Sequence, residues 1–342
     1  MNTIIRIAAT ATPSLDLIRT GNIASLPCSL FTSTTLTVLC LSDIHLELPT
    51  VVVFPILKTL DIRRVHWRDV EETNRLISSC PYLERLVLLN CSWNKFNLLI
   101  VSAPNLKRLH YKIALIGQVQ EVNISSTSLL ECVYIGHPPD ISLECLSSLL
   151  IAKLFCAPHS GFKESPNVMN DCVIKILMGL QNVVKLMQGN FDLEILSRAQ
   201  KLFSKNQIVL SSVKELGLSV FTTENQVQFV AFLLTIFPNL QTLRIEFNEP
   251  GQFARLLNME AHHQPQNSSD MRALDHIAIR GIKGNDNELY LVRHLLENAG
   301  LLVDMKIYYS KDLDEDESLR NVIGDKIKNF VKASPNAMIA FV

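Results

Sequence analysis

The chain has 342 residues, of which 48% are hydrophobic, and it sets 32 Lys and Arg against 33 Asp and Glu. That length can bury a large core, as two ordinary domains or as one elongated array. The charge balance argues against general binding to nucleic acid or to an anionic membrane surface, and only 12 glycines argue against a loop-rich or disordered chain.

Residues 1–25 open with MNTIIRIAATATPSLDLI, an apolar run broken by Arg6 and followed by Pro13 and Asp16, so no secretory signal is expected. From Leu36 onward one phrase recurs. LTVLCL begins at Leu36, LKTLDI at Leu57, LERLVL at Leu83, LKRLHY at Leu106 and LECVYI at Leu130. IAKLFC at Ile151 and VVKLMQ at Val183 are poorer copies, and VKELGL at Val213, LQTLRI at Leu240, LDHIAI at Leu274 and LVDMKI at Leu302 complete the series. This is the leucine-rich-repeat pattern L-x-x-L-x-L-x-x-N/C-x-L, with a usual period of about 20–29 residues. In each copy the first aliphatic residue is expected to end an incoming turn and the next two to point inward from a short strand. Cys91 and Asn248 supply the N/C position of their repeats, and Trp67 and Trp93 each stand ten residues after a repeat start, which predicts stacked positions in adjacent repeats.

Helix signals lie between the phrases. DVEETNRLISSCP (69–81) pairs Asp69 with Glu72, TENQVQFVAFLLTIFP (223–238) pairs Thr223 with Gln226, and NDNELYLVRHLLENAG (285–300) pairs Asn285 with Glu288 and ends on Gly300. The predicted fold class is therefore α/β: a leucine-rich-repeat solenoid with a curved parallel sheet inside and helices outside. The longest charge-free apolar stretch, VQFVAFLLTIF (227–237), is too short to span a bilayer. Beyond it, HHQPQNSSD (262–270) reads as a polar linker, DLDEDE as a solvated loop, ESLRNVIGDKIKNFVKASP as a last helix and AMIAFV as a closing strand.

The phrases LPCSLFTSTTLTVLCLS (26–42), FPILKTLDI (54–62), CPYLERLVLLNCSW (80–93) and APNLKRLHY (103–111) resemble the repeats of plant F-box/FBD/LRR proteins. IRGIKGNDNELYLVRHLLENAGLLVDMKI resembles the FBD segment that follows those repeats in that family. The resemblance implies three parts: an N-terminal segment over 1–25, repeats over 26–261, and an FBD-like segment over 262–342 that continues the solenoid. Members of this family begin with an F-box, which binds the Skp1-type adaptor of a cullin–RING ubiquitin ligase. Residues 1–25 are too few for one and lack its apolar helical pattern, which counts against such an adaptor as partner. They also look a poor cap, and IASLPCSLFTS starts in mid-repeat, leaving a natural start and a truncated gene model both open. The implied role is the substrate-recognition half of an SCF-type receptor, binding a protein target in the cytoplasm or nucleus. The alternative is the repeat domain of an immune-type or receptor protein unrelated to ubiquitination, although the L-x-G-x-I-P phrases and paired capping cysteines of extracellular receptors are missing.

Side chains alternate along a strand, so the residues flanking the inward aliphatics are expected on the concave face. They are Thr59, Asp61 and Arg63, then Arg85, Val87 and Leu89, then Arg108, His110 and Lys112, then Cys132, Tyr134 and Gly136. Later strands present Glu215, Gly217 and Ser219, then Thr242, Arg244 and Glu246, then His276, Ala278 and Arg280, then Asp304, Lys306 and Tyr308. Arg63, Arg85, Arg108, His110 and Lys112 concentrate positive charge, and with Tyr134 they form the candidate site for an acidic or phosphorylated protein target. No catalytic, cofactor or metal site is expected. The P-loop, G-x-S-x-G, H-E-x-x-H and G-x-G-x-x-G motifs are all missing. His262 and His263 lack partners at ligand spacing, and Cys172 beside Asp171 lacks a histidine activator. The eight cysteines include no C-x-x-C pair and sit mostly in apolar runs, as buried reduced thiols do. Three sequons, at Asn90, Asn123 and Asn267, matter only after secretion.

Overall fold

A computed structural model describes residues 4–9, 13–18, 26–95, 97–113, 121–136, 140–141, 143–156, 176–189, 193, 196, 208–249 and 271–342. The chain divides into two compact units, Met1–Leu180 and Gln181–Val342, a division that falls inside the repeats.

The first unit carries strands β1 (Ile4–Ala9), β2 (Pro13–Ile18), β3 (Val38–Ser42), β4 (His45–Leu46), β5 (Thr59–Arg63) and β6 (His66–Asp69). Helix α1 (Val70–Ser78) follows, then β7 (Arg85–Lys95), β8 (Leu98–Ser102), β9 (Arg108–Ile113), β10 (Glu121–Ser125), β11 (Glu131–Gly136) and β12 (Asp140–Ile141). Helix α2 (Leu143–Ser148) and β13 (Ile151–Cys156) complete it. Its main sheet runs in the order β1-β2-β3-β5-β7-β9-β11-β13 and is parallel from β2 onward. The hairpin of β1 and β2 joins its first edge, so part of residues 1–25 forms strand.

Helices were expected outside the sheet, yet most repeats of the first unit use strands there. β8, β10 and β12 form a second parallel sheet. Phrases 23 and 24 residues apart leave little room for three helical turns, and LLIVS and EVNIS alternate buried with exposed residues as half-buried strands do. Where a spacing of 26 residues gives room, α1 forms, and Asp69 caps it by accepting the Glu71 N–H at 2.8 Å. Asp43, Arg64 and Asn90, each one residue past the paired part of its strand, share a left-handed backbone (φ 58°, 50° and 53°). This repeated kink turns the chain from the main sheet into β4, β6 and the far end of β7. There Trp67 and Trp93 lie side by side in register, both buried, and the Trp93 indole N–H donates to Thr73 Oγ1 at 2.8 Å.

The second unit contains β14 (Lys185–Gln188), β15 (Glu215–Phe221), α3 (Glu224–Leu233), β16 (Thr242–Asn248) and β17 (His276–Ile282). It ends with α4 (Asp286–Asn298), β18 (Asp304–Tyr309), α5 (Glu317–Lys328) and β19 (Met338–Phe341). Its strands pair in chain order, all parallel. Longer repeats admit real helices here. Asn285 and Glu288 form a complete capping box, and Thr223 accepts the Gln226 N–H. Glu288 also reaches back from the interior: its Oε2 takes the backbone N–H groups of Lys283 and Gly284 at 2.8 and 2.7 Å. Gly281 (φ 78°) and Gly284 (φ 84°) permit that loop, since a Cβ would stand 2.7 Å from Phe247 O and 2.5 Å from Ile323 Cγ1 respectively. The phrase IRGIKGNDNE is thus a loop-and-cap device.

One hydrogen bond explains the repeat phrase. The N–H of the first aliphatic residue donates to the carbonyl three residues earlier, as in Leu57 to Phe54, Leu83 to Cys80, Leu106 to Ala103, Leu240 to Phe237 and Leu302 to Ala299. The turn commits the next two positions to the core, where Leu60, Ile62, Leu86, Leu88, Leu243 and Ile245 are buried. Each such leucine contributes about 1.5–3 kcal/mol by leaving water.

Two phrases are corrected by this turn. Leu129, bonded to Ser126, starts the fifth repeat, and Leu149, bonded to Leu146, starts the sixth. Leu130 and Ile151, the expected starts, instead donate to the preceding repeats, to Lys107 O and Leu130 O.

Candidate functional site

The open face of the first unit's main sheet, opposite the buried leucines, presents three rows of side chains set by the parallel register. Thr59, Arg85, Arg108, Glu131 and Ile151 form one; Asp61, Val87, His110, Val133 and Lys153 the next; Arg63, Leu89, Lys112, Ile135 and Phe155 the third. Neighbours in a row are about 4.8 Å apart across the strands. Arg63, Arg85, Arg108, His110 and Lys112 therefore stand on one face, as the alternation predicted.

Tyr134 does not. With Leu129 as the repeat start, Cys132, Tyr134 and Gly136 point into the core, and Glu131, Val133 and Ile135 take the open face. A slip of one residue exchanges the two faces of a strand. Tyr134 is 1% exposed and stacks on Tyr111 with ring centroids 5.1 Å apart, beside a glycine at 136 that leaves the rings room. Burial pushes the Cys132 thiol up to about 12 and the Cys91 thiol to about 11, which makes both poor nucleophiles.

Charge on this face is partly paired. Arg63 forks onto Asp61 of its own strand, Nε to Oδ1 at 2.7 Å and Nη2 to Oδ2 at 2.8 Å. Arg108 Nε lies 3.7 Å from Glu131 Oε2. Arg85, Lys112 and Lys153 make no ion pair among the described residues. His110 stands among these groups, and burial, then Arg63, Arg85 and Lys153, hold its imidazole below the ordinary histidine value against a smaller opposing pull from Asp61. The depression between β7, β9 and β11 has a volume of about 50 Å³, lined by Arg85, Val87, Arg108, His110, Glu131 and Val133 among others. That is far below the roughly 300–1,000 Å³ of small-molecule sites. The face suits a surface-to-surface contact.

The sequence reading missed Val133 and Ile135 on this face because it started the fifth repeat one residue late, and it did not read out the outward residues of the sixth, Lys153 and Phe155. The available signal was the residue three before each start, an apolar or small side chain that is buried, as Phe54, Cys80, Ala103 and Ser126 are. His262, His263, Asp171 and Cys172 lie outside the described residues.

In the second unit the open face holds Glu215, Arg244, Glu246, His276, Arg280, Asp304 and Lys306, as alternation predicted, together with Lys185. Glu215 accepts from both Lys185 and Arg244 at 3.0 Å, and the two cations hold its carboxyl below the usual range. His276 contacts Asp304, and Arg280 lies over the Tyr308 ring at 4.8 Å.

Short parallel strands at repeat spacing, most of them entered by the same turn, define a leucine-rich-repeat protein. The family model described as FBD-associated F-box protein At5g56370, LRR repeats, matches residues 6–158. Over 302 residues the chain is 26% identical to the F-box/LRR-repeat protein At5g38396 of Arabidopsis thaliana, covering 82% of this chain and 62% of that protein. It is 25% identical over 291 residues to the F-box/FBD/LRR-repeat protein At1g13780 of the same plant, covering 81% and 61%. A stretch of 85 residues reaches 44% identity with the F-box/FBD/LRR-repeat protein At5g56420, also of Arabidopsis thaliana, covering 25% of this chain and 20% of that one. The chain is similar to plant F-box/FBD/LRR-repeat proteins, and it spans about three fifths of the length of those it matches over most of its own.

Proposed function

We propose that this chain is a protein-interaction module that acts by binding alone, holding a protein target on the open face of its first unit. In this reading it resembles the substrate-recognition part of an SCF-type ubiquitin ligase receptor, and ubiquitin transfer takes place on other subunits. The observation that carries the reading is the uncompensated cationic face on β7, β9 and β13, in a chain whose matched relatives are F-box/LRR-repeat proteins. Arginine forks and lysines on a rigid sheet recognise carboxylates with little ordering cost.

The test is retention of plant proteins from a proteasome-inhibited extract on immobilised chain, compared with two variants. Val133→Trp places an indole on the open face, and Glu71→Trp places one on the exposed side of α1. A partner retained by wild type and by Glu71→Trp, and lost with Val133→Trp, supports the reading. Retention that Val133→Trp leaves untouched overturns it.

A further inference from the structure

Resting on that reading of the open face, we propose that its ligand is an unphosphorylated acidic–aliphatic segment of the target. The segment lies across β7, β9, β11 and β13 with a carboxylate over β9 and aliphatic side chains to either side. The argument begins with the columns. β9 presents Arg108, His110 and Lys112, polar throughout, whereas β7 offers the half-buried Leu89 beside a Val87 that is only 1% exposed, and β11 offers Val133 and Ile135. A cationic column thus stands between two columns that carry aliphatic residues, about 4.8 Å away on each side.

The charge pattern selects carboxylates over phosphate. Arg63 and Arg108, whose guanidinium forks would suit a phosphate, already face Asp61 and Glu131. The cations left without an ion pair, Arg85, Lys112 and Lys153, belong to three different rows and three different strands. With strands about 4.8 Å apart and alternate residues on a strand about 6.6–6.8 Å apart, no single phosphate spans them, whereas carboxylates on successive side chains do. Arg85 also sits directly opposite Arg108 across the sheet. Like charges so placed disfavour the free fold, and an incoming carboxylate relieves them.

Fluorescence anisotropy with the full 342-residue chain tests this, using a fluorescein-labelled probe of sequence Leu-Asp-Glu-Leu-Glu-Val-Asp-Ile. Three comparison peptides replace its aliphatic residues by Gly, its acids by the matching amides, or its acids by Gly with one phosphoserine added. The expected result is saturable binding of the probe about tenfold or more tighter than each comparison, weakened by a similar factor in Arg85→Glu and in Lys153→Glu. Lys306→Glu, on the second unit's face, leaves it unchanged. The proposal is overturned by a phosphoserine or acid-glycine peptide that binds as well as the probe, by no saturable binding, or by an Arg85→Glu variant that binds normally. If the probe fails while Val133→Trp still abolishes partner retention, the ligand chemistry is wrong and the face remains the target site. If neither responds, both are wrong.

Discussion

The open faces of the two units share one register and use charge in opposite ways. On β5 to β13 five cations (Arg63, Arg85, Arg108, Lys112, Lys153) stand against two carboxylates (Asp61, Glu131). On β14 to β19 four (Lys185, Arg244, Arg280, Lys306) stand against three (Glu215, Glu246, Asp304). Exposed ion pairs contribute only about 0–1 kcal/mol each, so stability does not require the pairing on the second face. Its effect is on the field: one carboxylate, Glu215, answers two cations, while Arg85, Lys112 and Lys153 on the first face project theirs into solvent. The difference teaches that a repeat sheet is a neutral frame whose binding character is set by which exposed positions are left unanswered.

The largest test of that comparison concerns which side chains are on the first face at all. Tyr134→Ala is expected to cost about 3–5 kcal/mol in urea denaturation, as for other buried aromatics. Val133→Ala, one residue away on the open face, should cost under about 1 kcal/mol. Similar small values for both would mean that β11 has the other register and that the charged rows are misdrawn.

A somewhat smaller loss is expected where the second unit commits its acids inward. Glu288→Ala removes the acceptor of the Lys283 and Gly284 N–H groups, and we expect it to lower stability by about 2–3 kcal/mol. Hydrogen exchange should locate the loss: amides of 283–285 lose protection first. Unchanged protection there would show that the loop does not depend on this carboxylate.

His110 reports the first face's field directly. Its folded pKa is depressed below the ordinary 6.5 by burial and by Arg63, Arg85 and Lys153. The folded state therefore binds its proton less readily than the unfolded chain. This group leaves stability undiminished above about pH 6.5 and lowers it as pH falls through 6.5 toward the folded value. Arg85→Ala and Lys153→Ala should each raise the His110 pKa in an NMR titration, and Asp61→Ala should lower it further. A pKa indifferent to all three would mean that the cations do not act on this side chain.

Most of the fold was legible because a leucine-rich repeat writes its register into spacing: seven of the eleven phrases start where the turn bond places them. Of the two corrected starts, the one that exchanges the faces of its strand has a non-local cause. Leu130, Val133 and Ile135 match an aliphatic consensus better than Leu129, Cys132 and Tyr134, yet Tyr134 is inward because Tyr111 in the next strand offers it a ring. That partner is 23 residues away in sequence and invisible to local pattern. The turn bond has a local trace, seen again in Ser334, whose carbonyl takes the Ala337 N–H ahead of the closing strand. The strands behind the first unit were legible too, in the alternation of LLIVS and EVNIS, but a rule that assigns helices to that side hid them. Arg85 and Lys112 were found by alternation alone, whereas their freedom from ion pairs depends on geometry that spacing does not encode.

The smallest expected effect bears most directly on the comparison. Glu215→Gln removes the carboxylate that answers Lys185 and Arg244, and stability should move by no more than about 0.5 kcal/mol because both pairs are exposed. The second face then carries unanswered cations like the first. If charge alone made the first face a binding surface, an Arg85→Glu, Glu215→Gln double variant should regain affinity for the acidic–aliphatic probe through its second unit. We expect no recovery. The residues beside Arg244 in its row are Gly217 and Ala278, and those beside Glu246 are Ser219 and Arg280. None offers the branched aliphatic flank that Val133 and Ile135 provide beside β9. Recovered binding would show that uncompensated charge is sufficient; its absence would assign an equal part to the apolar columns.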